Sequence, residues 1–289
     1  MMQTQSFEPS RIYSGLGTRM GRGRDLVVRA SLLDMPGRER VREKAQAIGV
    51  GIGIMGGAAA SMQAASVSDP TTIISSVPLL AWYRGDTVVQ SGGFVSQWTD
   101  KKNTNHAVQA TGGNQPAYNA TDSTLSNQPT LTGNGTSTEI LCSGTLPASY
   151  WICCVLKILS FTANCCAFSS PGGGGKAQIY WNGATALYLF ENGTPAGPVS
   201  GAPIGSWKRV ACAQSNASTD FIHAGSTSAT ANCGRSASSA LWRFFGLGGS
   251  QWWNGAIAEA IITTGIPTSG EQTAIDTYLS GRYLASILT

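Results

Sequence analysis

Acidic residues are the first candidates for chemistry in this chain of 289 residues, because two carboxylates can share the acid and base roles in glycoside hydrolysis. That reaction needs two carboxyl groups roughly 5–10 Å apart, which residues two positions apart on one strand supply. From residue 71 onwards no two acids have this spacing: Asp86, Asp100, Asp122, Glu139, Glu191, Asp220, Glu259, Glu271 and Asp276. Glu259, alone in an apolar run, is therefore expected to be a partner for Arg282 or for backbone donors rather than a catalytic acid.

Histidine and glycine patterns offer no alternative chemistry. His106 and His223 lie apart from any serine or cysteine motif, so a nucleophile activated by histidine is not indicated. The four glycines at 172–175 lack the Lys-Ser/Thr pair of a phosphate-binding loop and are interpreted as a flexible hairpin tip. Asp86 and Asp100 are interpreted as turn and strand-end residues rather than calcium ligands. We therefore predict no catalytic residue, no cofactor site and no metal site.

The seven cysteines are not spaced as metal ligands. None forms a Cys-x-x-Cys pair, so a zinc site is not indicated. Cys153-Cys154 and Cys165-Cys166 lie in apolar runs, where strand neighbours point to opposite faces, so one member of each pair is expected to be buried. Two interpretations stay open: reduced thiols in a core, which we favour, and a cross-strand or intersubunit disulfide.

The net positive charge of the chain is concentrated near its N terminus. Residues 1–68 contain nine basic and five acidic residues, whereas residues 69–289 contain ten of each. We interpret residues 1–70 as a basic, Gly/Ala-rich assembly arm, extended except for a helix near 36–46. An acidic protein, a membrane surface or nucleic acid could attract it, and the lack of interleaved aromatic residues disfavours nucleic acid. The residues of this arm that we predict to act in assembly are Arg19, Arg22, Arg24, Arg29, Arg38, Arg40 and Arg42.

An uncharged stretch at 45–68 has the length of a membrane span and ends in small residues, as signal peptides do. Its many glycines make it only weakly apolar, and the alternation of glycine with Val50, Ile52 and Ile54 favours an extended segment instead. A membrane partner is therefore not favoured. Asp69-Pro70 is predicted to separate the arm from a second domain at 71–289.

Short apolar runs separated by turn residues predict that this second domain is all-β. Asn192-Gly193 is typical of a two-residue hairpin turn. From Ser269 the pattern changes, and apolar residues on one face predict a short C-terminal helix. The predicted strands are 150–158, 164–168, 178–181, 186–190, 208–213, 221–224, 242–247 and 256–263.

Several motifs occur in a fixed order from residue 80. They are LAWYRGD at 80–86, GFVSQWTD at 93–100, SWKRVA at 206–211, NGAIAEAII at 254–262 and YLSGRY at 278–283. In this order they resemble the concanavalin A-like (laminin-G-like) jelly-roll domains over about 80–289. The resemblance implies a sandwich of two stacked sheets, with Trp82, Trp98, Trp151 and Trp207 in its core.

Domains of the kind that this segment resembles are frequent in bacteriophage virion proteins and in bacterial surface proteins. The resemblance implies a non-enzymatic virion structural protein (a capsid decoration, collar or fibre-base subunit). It would assemble in the host cytoplasm, with its arm anchored to other virion proteins and to copies of itself. Its jelly roll would be displayed outward and could bind host-surface glycans, with Trp181, Trp252 and Trp253 as the candidates for stacking on sugar rings. The alternative is a carbohydrate-binding surface module of a bacterial protein, which would use the same kind of exposed aromatic residue. Related glycoside hydrolases carry Glu-x-Asp-x-x-Glu on one strand, and its absence here makes a hydrolase the least favoured alternative.

Overall fold

The computed structural model describes residues 68–160, 164–170, 177–182, 186–191, 194–200, 203–215, 220–233 and 241–289. Residues 1–67 of the predicted arm lie outside the described residues, and so do its helix near 36–46 and the glycines at 172–175. The division at residue 70 stays a prediction. The arm residues outside the described part are Arg19, Arg22, Arg24, Arg29, Arg38, Arg40 and Arg42.

Strands dominate the described part, as the short apolar runs predicted, and one helix follows the last strand. The helices are α1 (Pro70–Ile73) and α2 (Ser269–Arg282). The strands are β1 (Leu79–Ser91), β2 (Phe94–Asp100), β3 (Ala107–Val108), β4 (Ala117–Asp122), β5 (Gln128–Asn134), β6 (Ile140–Thr145), β7 (Tyr150–Ile158), β8 (Cys165–Ser170), β9 (Ala177–Asn182), β10 (Ala186–Glu191), β11 (Thr194–Val199), β12 (Lys208–Gln214), β13 (Asp220–Ala224), β14 (Thr227–Ala231), β15 (Leu241–Phe244) and β16 (Asn254–Thr263).

The strands join into one continuous antiparallel sheet rather than two separate sheets. Its order is β11-β10-β9-β8-β15-β6-β3-β2-β4-β5-β16-β7-β12-β13-β14. Strand β1 pairs with both β2 and β16, so β1, β2, β4, β5 and β16 close into a small five-stranded barrel. The prediction of a concanavalin A-like jelly-roll sandwich of two stacked sheets is therefore wrong, because hydrogen bonding continues from strand to strand and closes on itself. The predominance of strand and the short C-terminal helix are as predicted.

A glycine allows β1 and β5 to approach closely in this barrel. A Cβ atom at Gly85 would lie 2.0 Å from the backbone oxygen of Pro129. No side chain fits there without movement of the backbone, so glycine is required by the close approach of the two strands.

Strand β7 is covered on both faces, and all nine of its residues are buried. Cys154 packs in one hydrophobic cluster and Cys153 in a second, on the opposite face of the strand. The expectation that only one member of each vicinal cysteine pair is buried is therefore wrong, since both members of both pairs are buried. All seven cysteines are buried and none of them is joined in a disulfide, in agreement with the interpretation we favoured.

Helix α2 packs against the second cluster through Ile275, Tyr278 and Leu279. Its N terminus is fixed by a capping box, in which the Thr268 hydroxyl accepts from the Glu271 N–H and the Glu271 carboxylate accepts from the Thr268 N–H. The predicted apolar face thus docks the C terminus onto the sheet. Neither described helix is long and apolar enough to cross a membrane.

Candidate functional site

A surface groove of about 610 Å³ lies beside the barrel strands β2, β4 and β5. Phe94, Ala117 and Thr132 line it as one row, because Phe94 is the cross-strand partner of Ala117 and Ala117 is the partner of Thr132. Directly paired residues project from the same face of a sheet. The groove therefore has a flat floor made of side chains from three neighbouring strands.

Phe94 is the aromatic residue of this floor. It begins β2 directly after the glycines of the β1–β2 turn, and 49% of its surface is exposed. The next residue, Val95, is buried, as strand alternation requires. An aromatic ring of this size held at the surface is an apolar platform that a ligand can cover.

Three uncharged polar groups in the groove have no partner within the described part of the chain. The Gln115 Nε2 donates to the backbone oxygen of Gln109 at 2.9 Å, so the Gln115 Oε1 remains as an acceptor. The hydroxyls of Ser91 and Thr132 also line the groove and take no part in the hydrogen bonds of the described residues. The groove thus offers an apolar platform together with groups that can donate and accept hydrogen bonds.

The wall of the groove is a turn held by its own side chains. The Asn134 Oδ1 accepts from the backbone N–H groups of Thr136, Ser137 and Thr138 at 2.9–3.1 Å. The Ser137 hydroxyl donates to the backbone oxygen of Gly113 at 3.3 Å. Because the turn is saturated internally, its shape is set before any ligand arrives.

The tryptophans predicted to stack on sugars lie elsewhere. Trp181 and Trp253 are 1% and 0% exposed and pack against each other with ring centroids 4.5 Å apart. Their rings present no surface to a ligand. Trp252 is half-buried beside Gly246 and is not among the residues of the groove. Trp82, Trp98, Trp151 and Trp207 are buried, as the resemblance implied.

Glu259 is fully buried, and its carboxylate is saturated by side chains. It accepts from Trp82 Nε1 at 2.7 Å, from the Tyr278 hydroxyl at 2.9 Å and from the Tyr283 hydroxyl at 2.7 Å. Arg282 Nε lies 3.6 Å away, so the expected arginine partner is found, while aromatic donors replace the expected backbone donors. Burial raises the pKa of Glu259, against the effect of these hydrogen bonds.

The fold also brings two distant acids to one guanidinium. Arg282 contacts the exposed carboxylate of Asp86 at 3.3 Å as well as Glu259. The spacing of acids along one strand could not reveal Asp86 and Glu259 as a pair, because Asp86 lies on β1 and Glu259 lies on β16. Glu259 has no exposed surface, so the arrangement ties the end of helix α2 to the barrel and offers no access to a substrate.

The remaining candidates serve local structure. Asp100 is buried and accepts from the backbone N–H groups of Trp82 and Lys102 at 2.9 Å, as expected for a strand-end residue. The His106 Nδ1 accepts from the Asp100 N–H at 3.1 Å, and His223 contacts Arg209 at 3.2 Å. Within the described ranges no cluster of three or more His, Cys, Asp or Glu residues could hold a metal ion.

Comparison with known proteins places the fold among solved structures. No protein-family model and no curated protein matches the sequence. Domain 4 of a GH43 extracellular arabinanase from Geobacillus stearothermophilus, in complex with arabinotriose, superposes with a TM-score of 0.53 at 14% identity, over 70% of this chain and 98% of that one. An arabinofuranosidase complexed with arabinofuranosyl-alpha-1,2-xylobiose gives a TM-score of 0.51 at 16% identity, over 72% of this chain and 60% of that one. Trypanosoma rangeli sialidase with sialic acid gives 0.52 at 12%, over 72% and only 34% of that chain.

These matches correct two predictions. The fold is the one shared with these arabinanase, arabinofuranosidase and sialidase structures, in place of the predicted concanavalin A-like sandwich. The prediction that the chain is not an enzyme is also overturned, because the structures that share its fold belong to enzymes acting on saccharides. Wide spacing of acids along the sequence was not sufficient ground for that prediction.

Proposed function

We propose that residues 68–289 bind a saccharide in the groove at Phe94. The observation that carries the proposal is the exposed Phe94 ring set beside the Gln115 Oε1 and the hydroxyls of Ser91 and Thr132, which have no hydrogen-bond partner among the described residues. One face of a sugar ring presents C–H groups that pack on an aromatic ring, while the hydroxyls at its edge exchange hydrogen bonds with amides and hydroxyls.

The likeness to the arabinanase domain supports this proposal, since that domain was solved with arabinotriose bound and is matched over 98% of its length. The structures named above lend no support to the predicted virion role. That role, its partners and its location in a virion or on a cell surface stay predictions.

Calorimetric titration of the full chain with arabinotriose and other neutral oligosaccharides tests the proposal. Phe94→Ala removes the platform, and we expect affinity to fall at least about tenfold, which corresponds to about 1.4 kcal/mol. Ile204→Ala is the matched control, because Ile204 is 46% exposed and lies outside the groove. It should bind like the wild type.

The same samples are assayed for newly formed reducing ends, which separates binding alone from binding with hydrolysis. Equal affinity of Phe94→Ala and the wild type would place the ligand elsewhere. No binding of any oligosaccharide, neutral or acidic, would refute the proposal.

A further inference from the structure

None of the described residues that line the groove is charged. Its side chains are aromatic, amide, hydroxyl or methyl groups, and the remainder of its surface is glycine backbone. This matters because a carboxylate moved out of water into such a groove loses hydration and gains no charged partner.

The charged side chains next to the groove wall, Glu139 and Arg243, already form an ion pair with each other. Glu139 follows the wall residue Thr138, and its Oε1 accepts from Arg243 Nη1 at 2.7 Å. Its Oε2 is engaged by the N–H of Gly249 at 3.4 Å. Arg243 is therefore committed to Glu139 and is not available to an acidic ligand in the groove.

Further along the same row of strands, the next cation is also committed. Thr132 pairs with Ala256, and Ala256 pairs with Lys157 on β7. The Lys157 Nζ contacts Asp122 Oδ2 at 3.2 Å and the Thr124 hydroxyl at 3.0 Å, with its side chain 10% exposed. No free positive charge adjoins the platform along this row of the described strands.

From these observations we propose that the groove selects neutral saccharides and rejects acidic ones such as uronic or sialic acid units. The inference rests on the proposed function and names the ligand class of the same site. Hydroxyl groups of a neutral sugar match the Gln115 acceptor and the Ser91 and Thr132 hydroxyls, whereas a carboxylate needs a cation or several donors that the groove does not supply.

The test compares α-1,4-galactotriose with α-1,4-trigalacturonic acid, which differ by carboxylates, and includes arabinotriose. Calorimetry of the full chain at low salt should show at least one neutral trisaccharide binding, with galactotriose at least about tenfold tighter than the triacid. Equal or tighter binding of the triacid overturns the selectivity and leaves saccharide binding standing. Binding of none of the three overturns the proposed function and the selectivity together.

A charge placed in the groove gives a second readout. Ala117 is exposed in the row between Phe94 and Thr132, so Ala117→Lys puts an ammonium group beside the ligand. We expect it to improve binding of the triacid about two- to fivefold, an effect that weakens as salt is raised. Thr230→Lys, at an exposed position of β14 away from the groove, adds the same charge. It should leave the ratio of the galactotriose affinity to the triacid affinity unaltered. Failure of Ala117→Lys to favour the triacid over this control would contradict the inference.

Discussion

Replacing Glu259 tests whether one buried carboxylate holds the C-terminal helix on the sheet. Glu259→Ala would leave three buried donors, on Trp82, Tyr278 and Tyr283, without their acceptor. Each unsatisfied buried donor costs about 1–3 kcal/mol, so the free energy of unfolding should fall by about 3–9 kcal/mol. That is a large share of the roughly 5–15 kcal/mol by which a domain is stable.

Glu259→Gln is the matched variant, since it keeps the shape and one strong acceptor. Its amide oxygen can still serve Trp82 and Tyr278, and the Tyr283 hydroxyl can turn to accept from the amide nitrogen. We expect a loss of only about 1–2 kcal/mol. The Tm should fall on the order of 10 °C for the alanine variant and a few degrees for the glutamine variant.

Urea denaturation followed by tryptophan fluorescence and far-ultraviolet circular dichroism measures both losses. An unchanged m-value would show that the variants unfold over the same surface as the wild type. If Glu259→Ala loses less than about 1 kcal/mol, or if glutamine is as harmful as alanine, the saturated carboxylate is not what holds the helix.

The pH dependence of the same protein gives an independent check. Because burial raises the pKa of Glu259, the folded state holds this proton more tightly than the unfolded state does. Its contribution to stability is therefore complete below the ordinary glutamate pKa and is lost as the pH rises through the raised pKa. Glu259→Gln should lack this decline when unfolding is measured at several pH values.

Three further changes have defined outcomes. Gly85→Ala brings a methyl group against the Pro129 backbone and should cost about 3 kcal/mol or more in thermal or urea unfolding, whereas Gly270→Ala, in open space, should be neutral or slightly stabilising. Glu271→Gln should lower the free energy of unfolding by about 1 kcal/mol at pH 7. Hydrogen bonds hold the pKa of Glu271 far below its usual range, so the stability difference between wild type and variant should shrink as the pH falls below the ordinary glutamate pKa. A stability difference that does not change with pH would contradict this. Burial, and then Arg209, lower the pKa of His223, so the stability of the wild type should fall as the pH drops below 6.5. The stability of His223→Gln should fall less over the same pH range. Identical pH profiles of the two proteins would show that His223 is not the group responsible.

Local patterns in the sequence identified most of the strands in the second half of the chain. β7 matches its prediction at both ends, and β16 and α2 were recognised from apolar runs and from a helical face. β11 was not predicted; it contains Pro195 and Pro198, and proline is rare within strands. It lies at the end of the sheet order, where proline is tolerated because one side of the strand needs no ladder partner.

Pairing between distant strands could not be predicted from the sequence. The barrel closes through β1 and β16, whose register joins Trp82 to Ile261 across most of the domain. No local motif specifies such a pairing, which depends on the energy of the assembled core. The interpretation as two stacked sheets failed for this reason.

The groove was missed because aromatic residue type does not indicate burial. Trp181 and Trp253 were predicted to stack on a ligand but are core residues. Phe94, which is exposed, was noted only as part of the motif at 93–100. One local signal was available. Phe94 follows Gly92 and Gly93 and precedes the buried Val95, so alternation along β2 places its ring on the outer side.

The burial of every cysteine has a practical consequence at the bench. Burial raises the pKa of Cys153 and of Cys165 to about 12, so little reactive thiolate exists in the folded domain. A maleimide or iodoacetamide pulse should leave native molecules unmodified and label all seven sulfurs once a molecule has opened. Intact mass after such a pulse would then count folded and unfolded molecules separately, without an engineered probe.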